Sequence, residues 1–246
     1  MGCTASARRE SLHRADAPFA VDLRKWHTAS SSTDECARPL DILPHEALTR
    51  LSARLASEGW AVSDSLLCAS VIDALRSDCM SRWQNGAFQQ AAIGRGDDRR
   101  VHTELRNDYI LWLNPSQPSP AQRSYLNMME ALRLQINQRL YLGLFDFEAQ
   151  FAVYPPRHFY RKHLDTFRAT PGRVVSCVLY LNSAWTVEDG GALRLFLDQQ
   201  QASSYSDVMP VGGRFLTFLS EHFYHEVLPA RRERLSLTGW FKVRAG

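Results

Sequence analysis

The feature that most constrains this chain is the texture of its C-terminal portion. From Phe147 onward, short runs rich in β-branched and aromatic residues alternate with turn signals. The runs cover 148–154, 174–181, 192–196, 214–219 and 235–243. Pro155-Pro156, Asp189-Gly190-Gly191 and Gly212-Gly213 punctuate them. Several short strands in about 100 residues predict an antiparallel double sheet or jelly roll.

The upstream half has a different period. Residues 45–58 carry Leu48, Leu51 and Leu55 at helical spacing and end at Gly59. Trp60-Ala61-Val62 reads as a short strand, and Asp64 or Ser65 could cap a second helix over about 66–88. A polar, glycine-punctuated loop over 94–102 reads either as an ordinary surface loop or as a lid. A strand over 109–113 and a loop marked by Pro115, Pro118 and Pro120 follow. The helix expected next, over 121–140, should bury Leu126, Met129, Leu132, Leu134 and Ile136. The expected architecture is therefore α+β, with helical support over 43–146 packed outside a β core over 147–244. Residues 1–42 lack sustained periodicity and read as a weakly ordered extension.

Composition narrows the function classes without choosing one. Against 26 acidic residues stand 29 basic ones, and a net charge of +3 gives no nucleic-acid footprint. No apolar run reaches the roughly 18 residues of a membrane span, and no secretory h-region precedes the first helix. Gly2 and Ser6 fit a myristoylation pattern that chance supplies often. Cys3, Cys36, Cys68, Cys79 and Cys177 are scattered, odd in number and without a CxxC pair. They suggest neither a disulfide framework nor a zinc ribbon, and a reducing cytoplasm is the expected location.

Chemistry concentrates at His163-Leu164-Asp165. Residues i and i+2 at a strand end point to one face, so an imidazole and a carboxylate can converge on one ion. His225, on a strand brought alongside, could complete two histidines and one carboxylate with coordination positions left open. An isolated His-x-Asp is common by chance, and a surface histidine or a structural zinc site are the competing readings. His222 forms an HxxH pair with His225, but the extended look of the following Glu226-Val227-Leu228-Pro229 argues against a shared face.

Arg234 begins a run in which Arg234, Ser236, Thr238 and Trp240 alternate with Leu235, Leu237 and Phe241. A guanidinium on the inner face of a barrel is costly unless it meets an anion, and its fork matches a carboxylate. Ser176, Val178 and Tyr180 share a face on their own strand, so the Tyr180 hydroxyl could reach that same carboxylate. A structural ion pair is the alternative for Arg234.

Taken in order, five segments resemble the prolyl 4-hydroxylase superfamily of 2-oxoglutarate oxygenases, particularly its bacterial and animal hypoxia-inducible-factor-type members. They are Tyr154-Pro155-Pro156, Tyr160-Arg161-Lys162-His163-Leu164-Asp165, Val178-Leu179-Tyr180-Leu181-Asn182, Gly190-Gly191-Ala192-Leu193-Arg194, and His225-Glu226-Val227 through Arg234. The resemblance covers about 45–244. It implies a double-stranded β-helix that uses Fe(II), 2-oxoglutarate and O2 to hydroxylate a proline-containing protein or peptide, with ascorbate as an optional reductant. It assigns the iron to His163, Asp165 and His225, and the distal carboxylate of 2-oxoglutarate to Arg234 and Tyr180. Tyr154 and Trp240 would line the pocket, and Thr238 would order metal-bound water. Arg106-Asn107-Asp108 resembles the family's Arg-Gly-Asp segment beside the substrate entrance, with Asn107 in place of glycine. Arg106, Asp108, Tyr160 and Arg173 are the implied substrate contacts. Read without the family, Arg106 and Asp108 form a solvated charged pair flanking a strand.

Overall fold

The computed structural model describes residues 43–92, 102–165, 172–201 and 203–244. All lie within the unit Cys36–Gly246. The extension over 1–42 and the loop over 94–101 fall outside the described residues.

Three helices carry the apolar periodicity of the first half: α1 (Leu43–Glu58), α2 (Ala69–Gln84) and α3 (Pro120–Leu140). Helix α3 opens on a capping box in which the Ser119 hydroxyl accepts from Gln122 N at 3.2 Å and Gln122 Oε1 accepts from Ser119 N at 3.4 Å. Asp78 on α2 accepts from both side chains, at 2.9 and 2.6 Å, which ties the two helices at that end. Two expectations fail here. The second helix runs from Ala69 to Gln84 rather than over about 66–88, with Cys68 at its N-cap, and the Asp64 carboxylate accepts from Arg214 at 2.8 and 2.9 Å rather than capping it. Leu134 is 48% exposed, while Tyr125, Met129, Leu132 and Ile136 make the buried stripe.

Among the described residues, eleven strands form two antiparallel sheets. The larger contains β1 (Trp60–Ser63), β2 (Gln89–Gln90), β3 (Tyr109–Trp112), β4 (Asp146–Tyr154), β6 (Arg173–Tyr180), β9 (Phe215–Leu219) and β11 (Arg234–Lys242), in the order β1-β9-β6-β11-β4-β3-β2. The smaller contains β5 (Tyr160–His163), β7 (Leu193–Phe196), β8 (Tyr205–Val208) and β10 (His225–Val227), in the order β5-β10-β7-β8. The sequence texture shows the long strands; β5 and β8 are too short and polar to stand out, and each is an edge strand.

Period-two alternation divides the large sheet into two jobs. Ala149, Phe151 and Val153 of β4, Val175, Cys177 and Leu179 of β6, and Leu235, Leu237 and Phe241 of β11 pack with the helices in one core. The intervening residues face the small sheet: Val178, Tyr180, Leu216 and Phe218 meet Leu193, Leu195 and Val208. Ala152 and Tyr154 meet Ile110 and Val227 in a third cluster. Two sheets enclosing a side-chain-lined interior, with helices buttressing one outer face, make the double-stranded β-helix. Gly239 is required where β11 crosses β4, since a Cβ there would lie 2.4 Å from the Phe147 ring.

The fully buried Leu237 and the half-exposed Leu134 separate core from surface. Leu237→Ala is expected to cost roughly 2–5 kcal/mol in chemical denaturation, and Leu134→Ala under about 1 kcal/mol.

Candidate metal centre

Strands β5 and β10 pair antiparallel with His163 directly opposite His225, and Asp165 follows two residues after His163. This register brings the two imidazole centroids to 4.2 Å. His163 Nε2 lies 3.6 Å from Asp165 Oδ1, and His225 Nε2 lies 3.7 Å from Asp165 Oδ2. One ligand atom from each residue falls within 4.8 Å of the others, a spacing that suits one ion with bonds of roughly 2.0–2.2 Å.

Backbone carbonyls fix which nitrogen faces the centre. His163 Nδ1 is 2.7 Å from the Arg161 carbonyl and His225 Nδ1 is 3.2 Å from the Phe223 carbonyl. A carbonyl only accepts, so each Nδ1 carries the proton and each Nε2 presents its lone pair. Burial pushes the His225 imidazole down to about 4, with His163 adding to the effect, so this ring is neutral at ordinary pH. Burial opposes the charge of Asp165, while the two histidines in their protonated form and the donating Ser176 hydroxyl hold its carboxyl far below the usual range. That hydroxyl donates to Asp165 Oδ2 at 2.6 Å and lies 2.9 Å from the Ser220 hydroxyl. Alternation placed Ser176 on the Tyr180 face, but only the fold shows its role as the carboxylate's anchor. His222 sits in an exposed turn away from this cluster.

Arg234 is 1% exposed, and among the described residues no carboxylate pairs with it. Its Nε donates to the Gly191 carbonyl at 2.9 Å. Its guanidinium carbon lies 5.0 Å from the ring centroids of both Tyr154 and Tyr180. Gly191 permits this approach, since a Cβ there would meet Arg234 Cδ at 3.3 Å and the Ala230 Cβ at 2.8 Å. Arg234 Nη2, the Tyr180 hydroxyl and Trp240 Nε1 are all buried without a hydrogen-bond partner among the described residues. Burial raises the phenol of Tyr180 while Arg234 pulls it down. A guanidinium with no counter-anion among the described residues and an unpartnered Nη2, beside an unpartnered hydroxyl, is costly alone and suits a carboxylate ligand. Among the described residues no structural ion pair explains Arg234.

The remaining predicted contacts fall elsewhere. Thr238 is half-buried, paired in register with Gln150 and Val178. Arg173 bonds Glu148 at 2.8 Å and stacks over Trp240 at 3.7 Å, which sets it at the far end of β11 from Arg234. Arg106 and Asp108 are not a solvated pair: Asp108 is fully buried and the guanidinium grips it through Nε at 2.8 Å and Nη2 at 2.7 Å. Asn107, between them, accepts from Phe159 N at 2.8 Å through its side chain and meets His158 Nδ1 at 2.6 Å through its carbonyl. The segment is thus closed onto the turn that enters β5.

Two imidazoles and one carboxylate, converging inside a double-stranded β-helix beside an anion-seeking arginine, define the class of non-haem Fe(II) oxygenases. Residues 149–242 match the family described as the 2OG-Fe(II) oxygenase superfamily. The fold also matches the crystal structure of a prolyl-4-hydroxylase from Pseudomonas putida, with a TM-score of 0.71 and 46% identity over 80% of this chain and 99% of that one. The chain belongs to the 2OG-Fe(II) oxygenase superfamily. It is 25% identical over 193 residues to a hypoxia-inducible factor prolyl hydroxylase of Caenorhabditis elegans, covering 74% of this chain and 26% of that protein. To human Egl nine homolog 1 it is 31% identical over 146 residues, 56% of this chain and 33% of that protein. The chain therefore spans a quarter to a third of these animal relatives.

Asp165→Ala and His225→Ala should each weaken Fe(II) binding in anaerobic titration by more than roughly 100-fold, beyond the loss of an outer partner, with His222→Ala within about twofold of wild type.

Proposed function

We propose that this protein hydroxylates a peptidyl proline, consuming 2-oxoglutarate and O2 and releasing succinate and CO2. The observation that carries the reading is the pairing of two features in one interior: a triad that can hold Fe(II), and a buried arginine fork with no protein anion among the described residues. The proline preference draws its support from the 46% identity with the Pseudomonas prolyl-4-hydroxylase over nearly all of that chain.

In this reading His163, Asp165 and His225 hold Fe(II) through Nε2 and carboxylate oxygens and leave further coordination positions open. When bound, the iron and 2-oxoglutarate supply the oxidising chemistry that inserts oxygen into an unactivated C–H bond. The side chains bind, orient and exclude water. Arg234 Nη2 and the Tyr180 hydroxyl would each donate to the distal carboxylate of 2-oxoglutarate, with Tyr154 shielding the guanidinium. Trp240, held flat beneath Arg173, offers an apolar wall, and Trp112 lies 6.0 Å away across the same surface. No side chain has to abstract a proton. Thr238 would order iron-bound water in this reading, and Arg173 would contact the substrate. Ascorbate as an auxiliary reductant and a cytoplasmic location complete the proposal; turnover with and without ascorbate, and cell fractionation, decide them.

Incubation with Fe(II), 2-oxoglutarate and proline-containing proteins should add the mass of one oxygen atom to proline. Modification confined to another residue type, or 2-oxoglutarate turnover indifferent to any peptide, would overturn the prolyl assignment. Arg234→Lys, which keeps the charge but loses the fork, should raise KM for 2-oxoglutarate by about tenfold or more.

A further inference from the structure

His225 and His163 are not equally supported. His225 sits on an inner strand, between β5 and β7, with the Phe218 ring edge-on at 4.8 Å. His163 ends the edge strand β5, and beyond the Arg161 carbonyl at 2.7 Å and its two partners in the triad its ring depends on what covers its other face. That cover is Tyr160, stacked on the imidazole at a centroid distance of 3.5 Å and an interplanar angle of 16°. The Arg106 guanidinium lies 4.3 Å from the centroid of Tyr160 in turn. Arg106 is itself locked by the two-point bond to the buried Asp108.

We propose that Asp108, Arg106 and Tyr160 form a positioning stack that fixes the plane of the metal ligand His163. The proposal rests on the metal-centre reading above and changes what three predicted substrate contacts do. A buried ion pair is a poor source of stability but a good source of fixed geometry. Here the geometry is a flat cation against a flat phenol against a flat imidazole, each of which forbids tilt of the next. Local bonds agree with this use. Arg161 N donates to the Leu105 carbonyl at 2.8 Å, and Arg106 forms a β-bridge with Tyr160, so the 102–108 segment serves as an additional flank for β5. Asp108 is anchored through its own carbonyl, which accepts from Ala91 N at 2.8 Å. An edge-strand ligand is the one whose orientation the sheet alone secures least, and it is the one that carries a stack.

Co(II) titrated into the purified full chain tests this without turnover, using the dissociation constant and the visible d–d spectrum. Tyr160→Leu, and the double change Arg106→Met with Asp108→Asn, should each weaken Co(II) by roughly tenfold or more and alter the band shape. Tyr160→Phe, which keeps the stacking plate, should stay within about threefold and keep the wild-type band. Circular dichroism and thermal midpoints identify folded variants. Folded Tyr160→Leu or double-variant protein with wild-type affinity and spectrum would overturn the stack, and if neither folds, Arg106→Lys decides by the same criterion. His163→Ala separates the two levels of the argument. If it binds Co(II) like wild type, the metal centre itself is wrong; if it loses Co(II) while the stack variants do not, only the stack is wrong.

Discussion

Everything at this site depends on the pairing of β5 with β10. Opposed in register, His163 and His225 bring their imidazoles together, and strand periodicity then carries Asp165 to the same place two residues later. A slip of one residue in either strand would turn a ligand to the opposite face. The same backbone sets the proton on each Nδ1, because the carbonyl acceptors of Arg161 and Phe223 each lie two residues before the ring they orient. Ligand position and ligand tautomer thus come from one local geometry.

Strand β11 links that geometry to the rest of the molecule. One face, through Leu235, Leu237 and Phe241, belongs to the core beneath the helices. The other carries Arg234, Ser236, Thr238 and Trp240 into the interior, and β11 sits between β4 and β6, so its neighbours Tyr154 and Tyr180 flank the guanidinium. The apolar face offsets the cost of burying a charge on the polar one. Gly191 lets the arginine be aimed, by giving its Nε a carbonyl at a distance that no side chain would permit.

Much of this was legible in the sequence where alternation runs long enough. The strands β4, β6, β9 and β11 announce themselves through repeated buried positions, and with them come Tyr180 and Arg234. The ligands were legible through the i, i+2 spacing of His163 and Asp165. What was hidden depends on partners far along the chain. Tyr-Arg-Lys-His reads as a polar stretch, and β5 becomes a strand because β10 lies on one side and residues 105–107 on the other. Arg106 and Asp108 look solvated for the same reason, since their burial comes from Tyr160 and the turn around His158. Asp64 looked like a helix cap because nothing nearby shows that Arg214, 150 positions on, takes its carboxylate.

X-ray absorption at the iron edge, on protein loaded with Fe(II) under nitrogen, tests the central assignment most directly. Two imidazoles and one carboxylate, with the remaining light-atom ligands changing when 2-oxoglutarate is added, is the expected result. A sulfur ligand, a single imidazole, or a spectrum indifferent to 2-oxoglutarate would contradict it.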